Sequence, residues 1–147
     1  MFRYRHNLQQ AESFYRHAIS MAPSSGQPYN QIAILEASRS NKLSTVYFYV
    51  RAVSLNFPFP AAFTNLSKLL GKLAGTDGEE NRERTAAKVT QHTFVPLFLR
   101  IQGMLHHSLQ LGQTVRLCKL LTESLTSLVA TDSISTWQLL QVPASLG

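Results

Sequence analysis

A segment of eight residues almost repeats itself within the first half of the chain. Phe-Tyr-Arg-His-Ala-Ile-Ser-Met at 14–21 returns as Phe-Tyr-Val-Arg-Ala-Val-Ser-Leu at 48–55, an offset of 34 residues. Within the first copy and the residues before it, apolar side chains recur at steps of three and four, which is the spacing of one face of an α-helix. A period of about 34 residues is typical of stacked pairs of helices. The repeat therefore predicts an architecture of helical hairpins.

The rest of the sequence continues this helical pattern. Helices are expected over 10–22, 29–38, 44–56, 61–74, 93–109 and 114–130, with a charged candidate at 81–89 and a last short helix ending near 140. Pro28 and Pro60 each fall where a helix begins, a position at which the missing N–H costs nothing. No segment alternates with period two, so the chain is predicted to be all-α. We expect tetratricopeptide-type (TPR) hairpins followed by a further helical hairpin.

Apolar spacing also predicts which helix faces are buried. The first helix has a stripe made of Ala11, Phe14, Tyr15, Ala18 and either Met21 or Ala22. The helix over 114–130 has one that includes Val115, Cys118, Leu125 and Leu128. Tyr47, Phe48 and Tyr49 are consecutive, so at least one of them must lie at the side of its helix.

Composition limits the possible chemistry. The chain has 14 basic and 8 acidic residues, a net charge of +6 that fits an anionic partner such as a phosphopeptide or nucleic acid. A single cysteine, Cys118, excludes an internal disulfide and a thiolate zinc cluster, and favours a reducing compartment. His106 and His107 are adjacent, so on a helix they point about 100° apart and chelate one ion poorly.

Catalytic and membrane-spanning patterns are missing from the sequence. It contains no glycine-rich phosphate loop, no His-Glu-x-x-His and no Gly-x-Ser-x-Gly. No apolar run reaches the roughly 18–20 residues needed to cross a bilayer. We therefore predict a protein that is not an enzyme, holds no cofactor or metal and has no membrane partner.

Several blocks carry a resemblance to a known family. They are Ala-Glu-Ser-Phe-Tyr at 11–15, Pro-Ser-Ser-Gly-Gln-Pro-Tyr-Asn-Gln-Ile-Ala at 23–33, Val-Tyr-Phe-Tyr-Val-Arg-Ala-Val at 46–53 and Phe-Pro-Phe-Pro-Ala-Ala at 57–62. Together they resemble the EST1-related proteins, which comprise a telomerase-associated protein and adaptors of nonsense-mediated mRNA decay. The Pro-Phe-Pro block is most similar to the adaptor that recruits decay factors. Residues 97–105 are similar to the family more loosely.

The resemblance implies a fold and a domain organisation. The family fold is a 14-3-3-like domain built of TPR hairpins, so residues 1–74 are expected to be the C-terminal part of such a domain. Residues 75–90 are then a polar linker or short helix, and residues 91–147 begin a helical-hairpin domain. The helices that supply the other basic phosphate ligands in the family are expected to lie before residue 1.

The resemblance also implies a function. We expect a non-enzymatic adaptor that binds a phosphorylated RNA helicase of the decay pathway, pairs with a family relative and reaches a phosphatase or the decay machinery indirectly. The expected location is the cytoplasm, with shuttling to the nucleus left open. Two alternatives remain at this point: a telomerase-associated binder of single-stranded nucleic acid, and a generic TPR scaffold for peptides.

Arg3 and Tyr4 match the Arg-Tyr pair that holds phosphate in 14-3-3-like domains. A guanidinium offers two parallel donors to phosphate oxygens, and a phenol adds a third. A charge-assisted hydrogen bond contributes about 1.5–3 kcal/mol, whereas micromolar binding needs about 8 kcal/mol. We therefore expect weak binding by this chain. The alternative is a solvated helix end.

Three further residues are candidates for contacts with a peptide. Arg5 and Arg16 would steer an acidic ligand electrostatically, with Arg16 expected on the helix opposite Arg3 in a hairpin; the alternative is an ordinary solvated face. The amide of Asn30 would pair with an extended peptide main chain. Its alternative role is to tie a turn.

Overall fold

The described part of the chain consists of helices. The computed structural model describes residues 2–75, 90–109, 111–132 and 134–145, and within them there are seven helices. The predicted all-α class is confirmed, and the helix candidate at 81–89 lies outside the described residues. The helices are α1 (Phe2–Met21), α2 (Gln27–Ser38), α3 (Lys42–Ser54), α4 (Pro60–Gly75), α5 (Gln91–His106), α6 (Leu111–Ala130) and α7 (Thr136–Ser145).

Short polar side chains decide where several helices begin. Asn41 caps α3, because its side chain accepts a hydrogen bond from Ser44 N at 3.2 Å. The cap of α5 is Thr90. Thr90 N donates to Thr93 Oγ1 at 2.8 Å, so Thr93 occupies the third helical position of a capping box.

Contacts divide the chain into two compact units. The first comprises residues 1–66 with 143–147, and the second comprises residues 67–142. The division falls within α4. The organisation into 1–74, 75–90 and 91–147 remains a prediction, because 76–89 lie outside the described residues.

Helices α2 and α3 form the centre of the first unit. They pack against each other, and α1 packs against α2. Ile32 and Ala33 of α2 are fully buried. The buried residues of α3 surround most of its circumference: Leu43, Ser44, Thr45, Val46, Phe48, Tyr49, Val50 and Ala52. Tyr47 is half-buried and lies edge-on to Phe48 at 5.0 Å between ring centres, so it is the lateral aromatic that the sequence predicts.

The loops of the first unit meet at Gly26. Gly26 N donates to Phe57 O at 2.9 Å, Phe57 N donates to Ser24 O at 3.1 Å, and Phe59 N donates to Ala52 O at 3.0 Å. A Cβ atom on residue 26 would overlap the carbonyl oxygen of Ala52 and lie 2.8 Å from Phe59 N. Residue 26 has φ −75°, so glycine is needed here for space and not for a left-handed backbone. This loop joint, residues 24–26 against 52–59, holds the α1–α2 loop beside the segment that leads to α4.

The predicted apolar stripe of α1 is correct in part. Ala11, Tyr15 and Ala18 are half-buried, but Phe14 and Met21 are 73% and 74% exposed. At 100° per residue, Phe14 and Met21 lie about 100° around the helix from the centre of the buried face. Spacing therefore identified an apolar surface that is wider than the face α1 buries.

Helices α5 and α6 pack together in the second unit. Phe94, Leu128 and Ile134 form one buried cluster, and a second cluster consists of Ile101, Met104 and Leu117. A Cβ atom on Gly103 would overlap Leu70 O and lie 3.0 Å from Ala74 N, so α4 and α5 approach closely there.

The buried face of α6 lies beside the one that the sequence predicts. Thr114, Leu117 and Leu128 are buried, whereas the predicted Val115 is 69% exposed. Gly112 is the second residue of α6. Adjacent residues on a helix differ by about 100° in direction. A buried face that includes residue 114 therefore places residue 115 at the solvent-exposed side of α6.

We predict that Gly26→Ala lowers the free energy of unfolding by about 2–3 kcal/mol, because the new methyl group meets backbone atoms that cannot move independently. Urea denaturation followed by circular dichroism measures the effect. The matched control is Gly112→Ala, where a Cβ meets nothing within 4 Å, and it should leave stability unchanged or raise it. Equal effects of the two substitutions would contradict the role of the loop joint.

Candidate functional site

Arg3 and Tyr4 lie in the first turn of α1 and both are exposed. Tyr4 is 59% exposed. Among the described residues, no ion pair engages the guanidinium of Arg3. The two side chains point about 100° apart on the helix. Because both side chains are exposed, their hydrogen-bond donors are accessible to a ligand from solvent.

Arg16 does not lie on a helix opposite Arg3, which corrects the sequence prediction. Helix α1 runs without a break from Phe2 to Met21, so both arginines belong to it. Their separation of 13 residues corresponds to about 20 Å along the helix axis. Arg5 and Arg16 are about 16 Å apart by the same measure, and Arg16 is engaged with Glu12. The structure therefore does not gather these cations around one phosphate.

Glu12 is the centre of an ion-pair network that joins α1 to α2. Glu12 Oε1 accepts from Arg16 Nη2 at 2.7 Å and from Arg16 Nε at 2.8 Å. Glu12 Oε2 lies 2.8 Å from Arg39 Nη2, and Arg39 Nη1 donates to Glu36 Oε1 at 2.6 Å. Arg39 is the residue that follows α2, so its positive charge also lies at the negative end of that helix dipole. The network fixes the C-terminal end of α2 against the middle of α1.

The network shifts the pKa values of its members. Partial burial on its own would raise the pKa of Glu12, but the hydrogen bonds and charges of Arg16 and Arg39 outweigh it and hold that pKa below its ordinary value of 4.5. The hydrogen bond to Glu12, which outweighs the opposing effect of burial, raises the pKa of Arg39, and Glu36 adds to the increase. Both groups are therefore charged at neutral pH.

The composition of the first unit gives it excess positive charge. Residues 1–66 contain six arginines and lysines but only two carboxylates, Glu12 and Glu36. Both carboxylates are engaged with Arg16 or Arg39. Arg51 lies over the ring of Tyr29 at 5.4 Å, in a cation–π contact. Arg3 and Arg5 therefore give α1 a basic exposed surface.

Asn30 is buried in the first turn of α2. It is 3% exposed, and its Oδ1 has no hydrogen-bond partner among the described residues. Asn30 N donates to Gly26 O at 3.1 Å. Its side-chain oxygen accepts no hydrogen bond from the described residues, so it does not stabilise the turn as the alternative interpretation of the sequence expected. A buried acceptor without a donor costs about 1–3 kcal/mol. This atom is thus an unmet hydrogen-bond acceptor within the first unit.

Asn30 and Arg3 lie at opposite ends of the α1–α2 hairpin. The contact between Glu12 and Arg39 gives the register of the two antiparallel helices. Arg3 is nine residues before Glu12 and Asn30 is nine residues before Arg39, which places them about 27 Å apart along the hairpin. The structure does not bring the two predicted ligands to one phosphate, so any shared ligand must be an extended peptide.

The histidines and the cysteine form no metal centre. In the part of the chain that the structure describes, no three His, Cys, Asp or Glu side chains are placed to hold an ion. His107 Nε2 lies 3.1 Å from Ser67 O, and Cys118 is half-buried against the second cluster of the second unit. None of the described helices is both long and apolar enough to cross a membrane.

A family model matches most of the chain. The Est1 DNA/RNA binding domain model covers residues 11–142. The chain belongs to this family. The resemblance to the EST1-related proteins is therefore confirmed.

Curated relatives in the family are factors of mRNA decay and a telomerase-binding protein. The zebrafish (Danio rerio) nonsense-mediated mRNA decay factor SMG7 is 38% identical over 95% of this chain. Human SMG5 is 38% identical over 44% of the chain, and zebrafish telomerase-binding protein EST1A is 38% identical over 43%. The chain spans only 11% of the length of zebrafish SMG7, 6% of human SMG5 and 4% of EST1A.

A solved structure shows the same fold. A chain in the C. elegans SMG5–SMG7 complex matches 97% of this chain with a TM-score of 0.66 and 18% identity, and the match covers 37% of that chain. The likeness confirms the 14-3-3-like helical fold.

Sequence reasoning missed the network around Glu12. The spacing of Glu12 and Arg16 at i and i+4 is a visible signal of a helical ion pair. Arg39 gave no such signal, because its contact with Glu12 depends on the register between two helices.

We predict that Glu12→Gln reduces the acid sensitivity of folding. A lowered pKa means that Glu12 contributes stability above pH 4.5, and that this contribution disappears as the pH falls through its folded-state pKa. The substitution should cost about 1 kcal/mol at pH 7 and less at pH 3. Urea denaturation at both pH values measures this difference. Glu123→Gln, an exposed carboxylate of α6, is the control, and the same pH dependence in both variants would contradict the network.

Proposed function

We propose that the chain acts as a non-enzymatic adaptor in nonsense-mediated mRNA decay. The observation that carries the proposal is membership of the Est1 family over residues 11–142, together with identity to SMG7 across 95% of the chain. The described surface supports binding more than catalysis, since its charged groups form a structural network and a basic helix face. The chain spans a small part of its relatives, so the role is proposed for the region that it contains.

The proposed ligand is a phosphorylated segment of the RNA helicase of the decay pathway. Arg3 and Tyr4 offer exposed donors on a unit whose carboxylates are both engaged with arginine. A phosphoserine carries nearly two negative charges and three acceptor oxygens, which suit a guanidinium beside a phenol. The Oδ1 atom of Asn30 is consistent with an extended peptide, because it lacks a hydrogen-bond donor among the described residues. A main-chain N–H of the peptide would supply that donor once a local movement of the chain exposes this buried oxygen.

Pairing with a family relative is the second part of the proposal. The matched structure contains SMG5 with SMG7, and this chain is similar to both proteins. A heterodimer would present two ligand-binding domains at once, which raises the effective affinity for a helicase phosphorylated at more than one site. The phosphatase and the decay machinery would be reached through such an assembly, in the cytoplasm.

We predict that Arg3→Glu weakens binding of a phosphoserine peptide from the helicase tenfold or more, because a carboxylate then faces the phosphate. Fluorescence anisotropy with a labelled peptide measures the dissociation constant. Arg116→Glu makes the same change of charge at an exposed position of α6 and should leave the affinity within twofold. Equal losses in the two variants would show that only net charge matters, and would sink the assignment of Arg3.

Binding of single-stranded nucleic acid is the second candidate function. The description of the matched family model and the net charge of +6 favour it. Arg116 and Lys119 lie three residues apart on the exposed side of α6, where they would contact successive phosphates.

For this candidate we predict a steep dependence of RNA binding on salt. Each phosphate neutralised on a single strand adds about −0.7 to the slope of log K against log salt. Arg116→Glu with Lys119→Glu should reduce the slope for a 20-nucleotide RNA, measured by anisotropy between low and physiological salt. If the wild-type chain shows no binding at low salt, this candidate function is excluded.

A further inference from the structure

Basic residues of α4 lie beside the end of α5 in the second unit. His107 follows the last residue of α5, and its Nε2 atom lies 3.1 Å from Ser67 O of α4. A Cβ atom on Gly71 would lie 3.2 Å from the same imidazole ring. Lys68 and Lys72 directly follow these two contact residues in the chain, and both are exposed. The two lysines of α4 are therefore neighbours of the end of α5.

The first turns of α6 adjoin the same end of the second unit. The two buried clusters show that α5 and α6 run antiparallel, so α6 begins beside the end of α5. Arg116 and Lys119 are exposed and lie about 7.5 and 12 Å beyond Leu111 along the axis of α6. Lys68, Lys72, Arg116 and Lys119 therefore place four formal positive charges at this end, which we call the basic end.

No carboxylate neutralises the basic end within the described part of the second unit. The carboxylates described there are Glu123 and Asp132. Glu123 lies about 18 Å from the start of α6 along its axis, and Asp132 follows the opposite end of that helix. None of the four cations forms an ion pair with a described residue. The basic end therefore has a positive field that attracts a polyanion.

Exposed imidazole rings accompany these charges. His106 and His107 are both exposed, and their ring centres lie 4.9 Å apart with the ring planes at 79°. Histidine is one of the aromatic side chains on which unpaired bases stack. Aromatic rings beside cationic side chains are the combination by which proteins bind single-stranded nucleic acid. The rings therefore favour a nucleic acid over an acidic peptide.

We propose that the basic end binds single-stranded nucleic acid, with phosphates on Lys68 and Lys72 and a base on the ring of His106. The inference rests on the second candidate function, to which it adds α4 and the end of α5. The two lysines are about 6 Å apart along α4, so they would contact neighbouring phosphates of one strand. A phosphopeptide offers one such group, whereas a strand carries a charge at every nucleotide and engages cations on both α4 and α6.

The salt dependence of RNA binding to the intact chain tests the contacts of α4. A labelled 20-nucleotide RNA is titrated by fluorescence anisotropy at several salt concentrations. Lys72→Gln should make the slope of log K against log salt shallower by about 0.7, because one phosphate contact is lost. Lys42→Gln removes the same charge from an exposed lysine at the start of α3 and should leave the slope unchanged.

The ring of His106 is tested by its own pair of variants. His106→Ala should weaken RNA binding at least fivefold, because the stacking surface is removed. His106→Phe keeps an aromatic ring and should bind RNA within twofold of the wild-type chain. Circular dichroism checks that the helix content of each variant is unchanged.

The outcomes separate this inference from the second candidate function. An unchanged slope for Lys72→Gln, with a shallower slope for Arg116→Glu with Lys119→Glu, would restrict the strand to α6 and overturn the inference alone. A wild-type chain that binds no RNA at low salt would overturn both. Equal losses for His106→Ala and His106→Phe would contradict stacking, and tighter binding of polyglutamate than of RNA with the same number of charges would assign the surface to an acidic protein.

Discussion

The close approach of residue 26 to the carbonyl of Ala52 is the contact on which the first unit depends. No side chain fits between them, and the surrounding backbone groups pair across the two loops. The block Gly-Gln-Pro-Tyr-Asn therefore has a physical reason: glycine allows the approach and Pro28 lies in the first turn of α2. Once this joint is made, the α1–α2 loop has a fixed position beside the segment that leads to α4.

Electrostatics then decides which surface of the first unit is available. Arg39 and Arg16 together engage Glu12, and Arg39 also engages Glu36, so the only carboxylates of residues 1–66 are used inside the structure. Arg3 and Arg5 have no such partner among the residues that the structure describes, and they give the start of α1 a positive charge. With both carboxylates engaged in these ion pairs, the exposed charge at the start of α1 is positive.

Local signals allowed much of the fold to be predicted from the sequence. Pro28, Pro60 and the 34-residue repeat placed the first four helices to within a few residues, except at the start of α1, because these signals act through the backbone close to each residue. The resemblance of the blocks at 11–62 indicated the family. Helix faces were predicted less well: periodicity identified Phe14, Met21 and Val115 as apolar positions, but neighbouring helices decide which positions are buried.

The candidate site was predictable only residue by residue. Arg3 and Tyr4 are exposed as expected, but spacing could not show that Arg16 would share their helix or that Asn30 would lie about 27 Å from Arg3 along the hairpin. Such distances depend on where helices end and on the register between them. The orphaned oxygen of Asn30 is likewise a property of three-dimensional packing, with no counterpart in the sequence.

We propose that this basic helical unit recognises a phosphorylated protein segment. The most direct measurement is a competition on one sample of the chain, with a bound phosphoserine peptide displaced in turn by its unphosphorylated twin and by single-stranded RNA. We expect displacement by the unphosphorylated twin to need at least fivefold more peptide than displacement by the phosphopeptide itself. Equal displacement by the two peptides, or displacement by RNA at lower concentrations than by either, would contradict it.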